Sequence, residues 1–411
     1  MRVPIIFIFF ITASTASTAS SDELDFYSKV SNFSTQLIYQ LDTAENKDVF
    51  ISPYTIWYIL MIIASETRGD TREQMVRALS LDSGESDYMI YFRNINSTVL
   101  LNGDNRTYRT IFANYLYYDV NLQVRLDCVE RLEDLGVFTK RCNFKEPSFM
   151  TTPLEQFSAL TKNDFVDSLI IMSNAIYFQA YWKHSFYMKM SYKNGTREVM
   201  FHAKGSFRSS DFDSLKASVT ELTYLGDIYS MLLIRPHSRY NVRQVSSKLK
   251  DVSFLNILNK LEVHGLTETE VILPAASANS HVILNEPLKK LGFSDIFNRY
   301  SSNFFNWTED VMYISDITQG VELQYTALGT TVIATIPSKK RFIKRDMTMR
   351  IVPLKDPFIS VIMERSTGTI LFAAVHFDTY QIVNVRRRRP ANRPGPLAMW
   401  HFDSLSTNAN A

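Results

Sequence analysis

The stretch that most constrains this chain runs from Ile314 to Leu371. Gly329-Thr330 opens a run in which Thr331, Val332, Ile333, Thr335 and Ile336 are all β-branched, and such side chains favour extended backbone on a pleated surface. The chain then turns cationic at Lys339, Lys340, Arg341, Lys344 and Arg345. Pro357-Phe358 opens an alternating strand pattern through Val361 and Met363. A segment able to become a strand, followed by a basic stretch, thus reads as a loop hung between strands.

The rest of the chain bounds what such a loop can serve. With 411 residues and 45% hydrophobic content, it is long enough for a substantial core. It has no apolar run of the roughly 18 residues that reads as a membrane span. Neither linker nor internal repeat divides the middle of the chain, which predicts one mixed domain over 24–378. The formal charge of +2 is too small to argue for a nucleic-acid partner, and none is expected.

Arg2, an apolar run from Val3 to Ile11 and small residues from Thr12 to Ser21 read as a secretory signal, with cleavage expected after Ala19. Residues 1–19 are then removed, and the product is extracellular with no membrane anchor. Asn32, Asn96, Asn105, Asn194 and Asn306 each have Ser or Thr at the second following position and become glycosylation acceptors where exposed. Cys128 and Cys142 are the only cysteines, and an oxidising compartment makes them candidates for a disulfide tying a helix to the next strand. The tail, 379–411, carries Arg386 to Arg389 followed by Pro390, Pro394 and Pro396. It reads as disordered, either a solvated basic tail or an attachment to a polyanion such as glycosaminoglycan.

Helical spacing runs from Leu24 to Leu41 through Phe26, Val30, Phe33 and Leu37. Ser52-Pro53 opens a second helix ending near Gly69, and Asp70 with Glu73 predicts a capping box on a third. Leu122 to Leu135 has helical spacing, and Val137 to Phe144 has strand character. Ile111 to Tyr118, Ser168 to Phe178, Ala217 to Thr223, Ser230 to Ile234 and Glu270 to Leu273 read as strands, so the fold class is α+β. No nucleophile elbow, His-Glu-x-x-His, phosphate loop or Cys-x-x-Cys is present, and the histidines lack ligand spacing. No enzyme activity, metal or cofactor is expected.

Five separated motifs carry a family resemblance. They are Val49 to Ile56, Arg68 to Met75, Asn174 to Phe178 with Trp182 and Phe186, Leu284 to Phe297, and the loop with its Pro357-Phe358 strand. Together they resemble the serpin family, in a divergent, insect-like secreted form. The resemblance implies three β-sheets, about nine helices and an exposed reactive-centre loop. It also implies a monomer whose loop is cleaved by a secreted serine protease and inserts as a strand, trapping the protease. By family spacing the reactive bond falls within Arg341, Phe342, Ile343, Lys344 and Arg345, with Lys344 the single best position. The basic residues there suit a trypsin-like pocket. The hinge is Gly329, Thr330, Thr331, Val332, Ile333 and Ala334. Ser52, Asn174, Trp182 and Gln319 occupy the region where the sheet opens.

The chain also departs from inhibitory members. Ala327 replaces a Glu, Val332-Ile333-Ala334-Thr335 replaces a run of Ala, and Gln319 replaces a His. Pro337 has no N–H for a central strand. The segment between Phe144 and Asn174 is short by about a helix, Lys355-Asp356 reverses the usual polar pair, and Phe372 to Val375 lacks a Gly-Arg. These features favour the alternative, a non-inhibitory serpin that binds a ligand or serves as cleavable bait.

Overall fold

A computed structural model describes residues 21–41, 48–81, 92, 95, 99, 107–145, 170–193, 196–274, 277–308, 312–336, 349–350, 357–377 and 382–383. The chain begins with α1 (Ser21–Gln40), β1 (Val49–Ile51), α2 (Pro53–Ser65) and α3 (Gly69–Ala78). Next come β2 (Tyr108–Asp119), α4 (Leu126–Asp134), β3 (Val137–Cys142), β4 (Ile170–Tyr181), β5 (Tyr187–Lys193) and β6 (Thr196–Phe212). β7 (Ala217–Thr223), β8 (Tyr229–Pro236), α5 (Val242–Leu249), α6 (Phe254–His264), β9 (Leu266–Pro274) and β10 (Ser277–Ile283) follow. The last part holds α7 (Asn285–Lys290), a 3-10 turn (Asp295–Phe297), β11 (Thr318–Tyr325), β12 (Gly329–Ile336), β13 (Met349–Arg350), β14 (Phe358–Glu364), β15 (Ile370–His376) and β16 (Ile382–Val383).

The strands form three sheets: a six-stranded one ordered β10-β11-β12-β4-β2-β3, an eight-stranded one and the pair β13-β16. The larger sheet runs β1-β15-β14-β8-β7-β6-β5, with β9 paired to β6. β14 and β15 are buried at every residue, as strands covered on both faces must be, and accordingly read as nearly continuous apolar runs. Twelve of the thirteen residues of α2 are buried. Such a helix belongs at the centre, and Pro53 starts it without losing a ladder bond.

Several expectations are corrected. α3 has Arg68 as its N-cap and Asp70 in its first turn, with no side-chain cap bond, so the capping box does not form. The motif from Leu284 to Phe297 divides into α7 and the 3-10 turn around Gly292, whose φ of 102° ends the helix. Seven α-helices are bounded among the described residues, and Phe92, Ile95 and Val99 are helical as well.

The expected Cys128–Cys142 bridge is not formed. Cys128 and Val137 belong to the main core, whereas Cys142 joins a separate cluster with Tyr117, Phe144 and Ile171. Val137 and Cys142 are an odd number of residues apart on β3, so alternation turns them to opposite faces of the sheet. Ile382 and Val383 of the tail pair with Arg350 and Met349, so this part of 379–411 is a strand.

Candidate functional site: the hinge and its slot

The β-branched run after Gly329 is a strand inside the six-stranded sheet. β12 pairs antiparallel with β11 from Thr330↔Tyr325 to Thr335↔Gly320. On its other side it pairs with β4 from Gly329↔Tyr181 to Ile336↔Asn174. The described strand runs to Ile336, and Pro337 lies outside the described residues.

Gly329 stands where a side chain has no room. A Cβ there would lie 1.9 Å from the Ala180 carbonyl oxygen and 2.9 Å from the Tyr181 Cα, both backbone atoms of β4. The turn into β12 is held by Thr326, whose N–H donates to the Gly329 carbonyl at 2.9 Å. Its hydroxyl oxygen accepts from the Leu328 and Gly329 N–H groups at 3.2 and 3.1 Å. Trp182 closes over this turn, its backbone N–H donating to the Leu328 carbonyl at 2.9 Å and its indole N–H to the Thr326 carbonyl at 3.1 Å.

Thr330 and Val332 face inward and are buried, with Val332 0% exposed. The Tyr224 hydroxyl donates to Thr330 Oγ1 at 2.9 Å, and the Tyr224 ring stacks on Trp182 with centroids 4.5 Å apart. Val332 lies over a void of about 10 Å³ lined by Val321, Leu323, Phe372 and Ile362 among others. A slot for the bulky hinge residue therefore exists, and its burial contributes about 1.5 to 3 kcal/mol.

Deeper in the gap, Gln319 is clasped to the start of α2. Its Oε1 accepts from the Ser52 N–H at 2.6 Å, and its Nε2 donates to the Ser52 carbonyl at 3.2 Å and to Thr55 Oγ1 at 2.8 Å. The Ser52 hydroxyl donates to the Leu371 carbonyl at 2.7 Å. Asn174 instead turns to Asn114 on β2, and its own Oδ1 has no hydrogen-bond partner among the described residues. Gln319 and Ser52 are thus brought together, while Asn174 belongs to the other half of the sheet.

Tyr224, Thr55 and Asn114 are site residues that sequence reasoning missed. Thr55 follows Ser52 by three positions at a helix start, a spacing that puts both on one side of the turn and was legible. Tyr224 sits at the end of β7 with no local signal.

A Ser-His-Asp arrangement is assembled in space. Ser360 Oγ lies 3.1 Å from His376 Nε2, and His376 Nδ1 lies 4.0 Å from Asp48 Oδ2. It is a packed polar relay. Ser360 and His376 are buried, the serine hydroxyl is shared with Tyr325 at 2.7 Å, and the Phe358 ring stacks on the imidazole at 4.2 Å. The void beside Ser360 is the size of one water, far below a peptide substrate. Burial holds the imidazole down at about 3, a poor general base near neutral pH.

The remaining expected residues divide by location. Arg341, Phe342, Ile343, Lys344, Arg345, Asn96, Asn105, Asn194, the 1–19 leader and the Arg386 to Arg389 run lie outside the described residues. Of the backbone-paired hinge, the side chains of Ile333 and Ala334 are likewise outside them. Asn32 is exposed on α1. Asn306 is half-buried, accepting from Arg68 and donating to the Ser65 carbonyl at 3.4 Å.

A sequence model of the family described as Serpin (serine protease inhibitor) matches residues 28–379. The plasminogen activator inhibitor 1 of Bos taurus is 22% identical over 370 residues, covering 84% of this chain and 90% of that protein. The structure of cleaved Serpin 42Da superposes with a TM-score of 0.70 at 20% identity, over 87% of this chain and 98% of that one. Tengpin, a thermophilic serpin solved in the latent state, gives 0.71 at 19% identity, over 90% and 100%. With its family match spanning most of its length and its fold shared with these structures, the chain belongs to the serpin family.

Proposed function

We propose that this protein is a secreted inhibitor of a trypsin-like serine protease, working by cleavage of its loop and strand insertion. The observation that carries the reading is the fit of Gly329–Ile336 as a central strand, paired on both sides, with Val332 in an apolar slot. No charged residue lies between Gly329 and Ile336 to resist burial.

In this reading the protease attacks a bond within Arg341 to Arg345, with Lys344 the best single position. A carboxylate at the base of a trypsin-like pocket favours those cations. The acyl-enzyme forms on a chain whose hinge lies outside the sheet, the hinge then takes the seated position between β11 and β4, and the protease is carried away before water deacylates it. The outcome is a race between insertion and hydrolysis, in which about 1.4 kcal/mol in either barrier changes the partition tenfold. The signal at 1–19 delivers the chain to that compartment as a monomer, and the Arg386 to Arg389 run offers a salt-sensitive attachment to polyanions.

The test is incubation of the mature chain with trypsin at equimolar ratio. A complex that survives a denaturing gel, with a released C-terminal fragment beginning within 342–346 by mass spectrometry, is the expected result. Cleavage in that window with no complex and no rise in melting temperature overturns the inhibitor reading and leaves a serpin used as binding protein or bait.

A further inference from the structure

We infer that Tyr224 is a positioning residue for the hinge, and that its hydroxyl makes strand entry depend on a hydroxyl at position 330. The inference rests on the insertion reading above and goes beyond it by assigning a residue outside the hinge to the first step of insertion.

Tyr224 is 0% exposed, and its ring is held by two aromatic neighbours. Trp182 stacks on one face at an interplanar angle of 12°, and the edge of the contact with Phe178 has centroids 5.5 Å apart. Its backbone N–H is bound to the Tyr229 carbonyl at 3.1 Å. A ring held this way can aim its hydroxyl at only one place, which is the mouth of the slot between β4 and β11. There it donates to Thr330 Oγ1, the first side chain after Gly329. Thr330 is directly opposite Ala180 on β4 and Tyr325 on β11, so this contact forms only when the hinge is seated in register.

The placement has a consequence for the pathway. With the hinge outside the sheet, a phenol in an apolar surround lacks the Thr330 acceptor. Entry of Thr330 supplies it at the same moment that Gly329 clears the β4 backbone. A buried hydroxyl that loses its partner shifts an equilibrium by about tenfold. Tyr224 thereby favours the seated hinge before Val332 reaches its slot. The same contact discriminates among hinge residues: valine matches threonine in shape but leaves the phenol unpaired, whereas serine keeps the acceptor.

The experiment compares Tyr224→Phe, Thr330→Val, Thr330→Ser and the double variant Tyr224→Phe/Thr330→Val in the mature chain. Two readouts are taken: moles of protein consumed per mole of protease trapped, and melting temperature before and after nicking of the bait. Tyr224→Phe and Thr330→Val are each expected to raise the consumed-to-trapped excess about tenfold. Their combination is expected to be no worse than the Thr330→Val single variant, and Thr330→Ser to behave as wild type. Unchanged melting of the un-nicked Tyr224→Phe variant shows that the fold is intact. Should that variant melt lower, the pair Thr330→Val and Thr330→Ser carries the same test with Tyr224 and its aromatic neighbours left in place.

A wild-type chain that traps protease while Tyr224→Phe traps it equally well overturns this inference alone. So do additive effects of the two substitutions, or a Thr330→Ser variant as poor as Thr330→Val. A wild-type chain that neither traps protease nor gains stability on nicking overturns the inhibitor reading and this inference with it.

Discussion

Replacing Gly329 by alanine adds one methyl group at the tightest point of the inserted strand. The new Cβ would stand 1.9 Å from the Ala180 carbonyl oxygen, where ordinary contacts begin above 3 Å, and the obstacle is β4 backbone, which cannot rotate away. β12 must back out by more than an ångström at its first residue. Overpacking of this kind costs about 1 to 3 kcal/mol. The shift also strains the Trp182 to Leu328 and Tyr224 to Thr330 hydrogen bonds, each contributing about 1 kcal/mol. The sum, about 3 to 5 kcal/mol, acts on the seated state, because outside the sheet position 329 tolerates alanine. If the same loss is felt in the barrier, the partition shifts by about 100-fold or more toward cleaved, released protein. The assay is a denaturing gel for the protease complex, together with melting of the nicked chain. Trapping by Gly329→Ala equal to wild type, with an equal rise in melting temperature on nicking, would refute the close approach on which this reasoning stands.

Other outcomes follow from single contacts. Val332→Ala enlarges the void beneath the strand and is expected to lower the stability of the inserted form by about 2 kcal/mol, read as a drop of a few degrees in its melting temperature. Gln319→Ala strands the buried Ser52 N–H and removes the clasp to Thr55, and should destabilise by about 2 to 4 kcal/mol in urea unfolding. For His376, whose imidazole is held at about 3, the unfolded chain binds the proton first. Its contribution is fully present above about pH 6.5 and is lost as the pH falls toward 3, with a slope of up to about 1.4 kcal/mol per pH unit. Urea titrations between pH 7 and 4 should show that slope reduced in His376→Gln. Finally, both cysteines should react with a thiol reagent only after denaturation, since each is buried and burial also pushes the Cys128 thiol up. A reductant should leave the melting temperature unchanged.

Local periodicity placed most of the strands and the buried second helix. Ala217–Thr223 matches its expected limits, and β2, β4, β8 and β9 extend theirs by a few residues at one or both ends. Ends move because edge residues are recruited by partners that no local window contains, as when Tyr108 extends β2 to pair with Ala180. The capping box at Asp70 failed for the complementary reason: the local signal there yielded to the backbone, which starts α3 from Arg68.

What the amino-acid sequence determined by itself was the inventory: β-branched residues after a glycine, a basic stretch beyond them, and apolar strands to receive them. It determined that nothing charged stands in the hinge and that Pro337 must limit any strand there, because these are properties of the residues themselves. Only the tertiary structure decided that Gly329 is needed against the Ala180 carbonyl, and that Tyr224 meets Thr330. It also decided that Gln319 clasps Ser52 while Asn174 turns to Asn114. Those contacts join residues up to 267 positions apart, so they exist only once sheet register and helix packing have brought the partners together. The two cysteines make the same point: thirteen intervening residues made a bridge easy to imagine, but Cys128 on α4 packs in the main core with Val137, and the alternation of β3 turns Cys142 to the other face of the sheet.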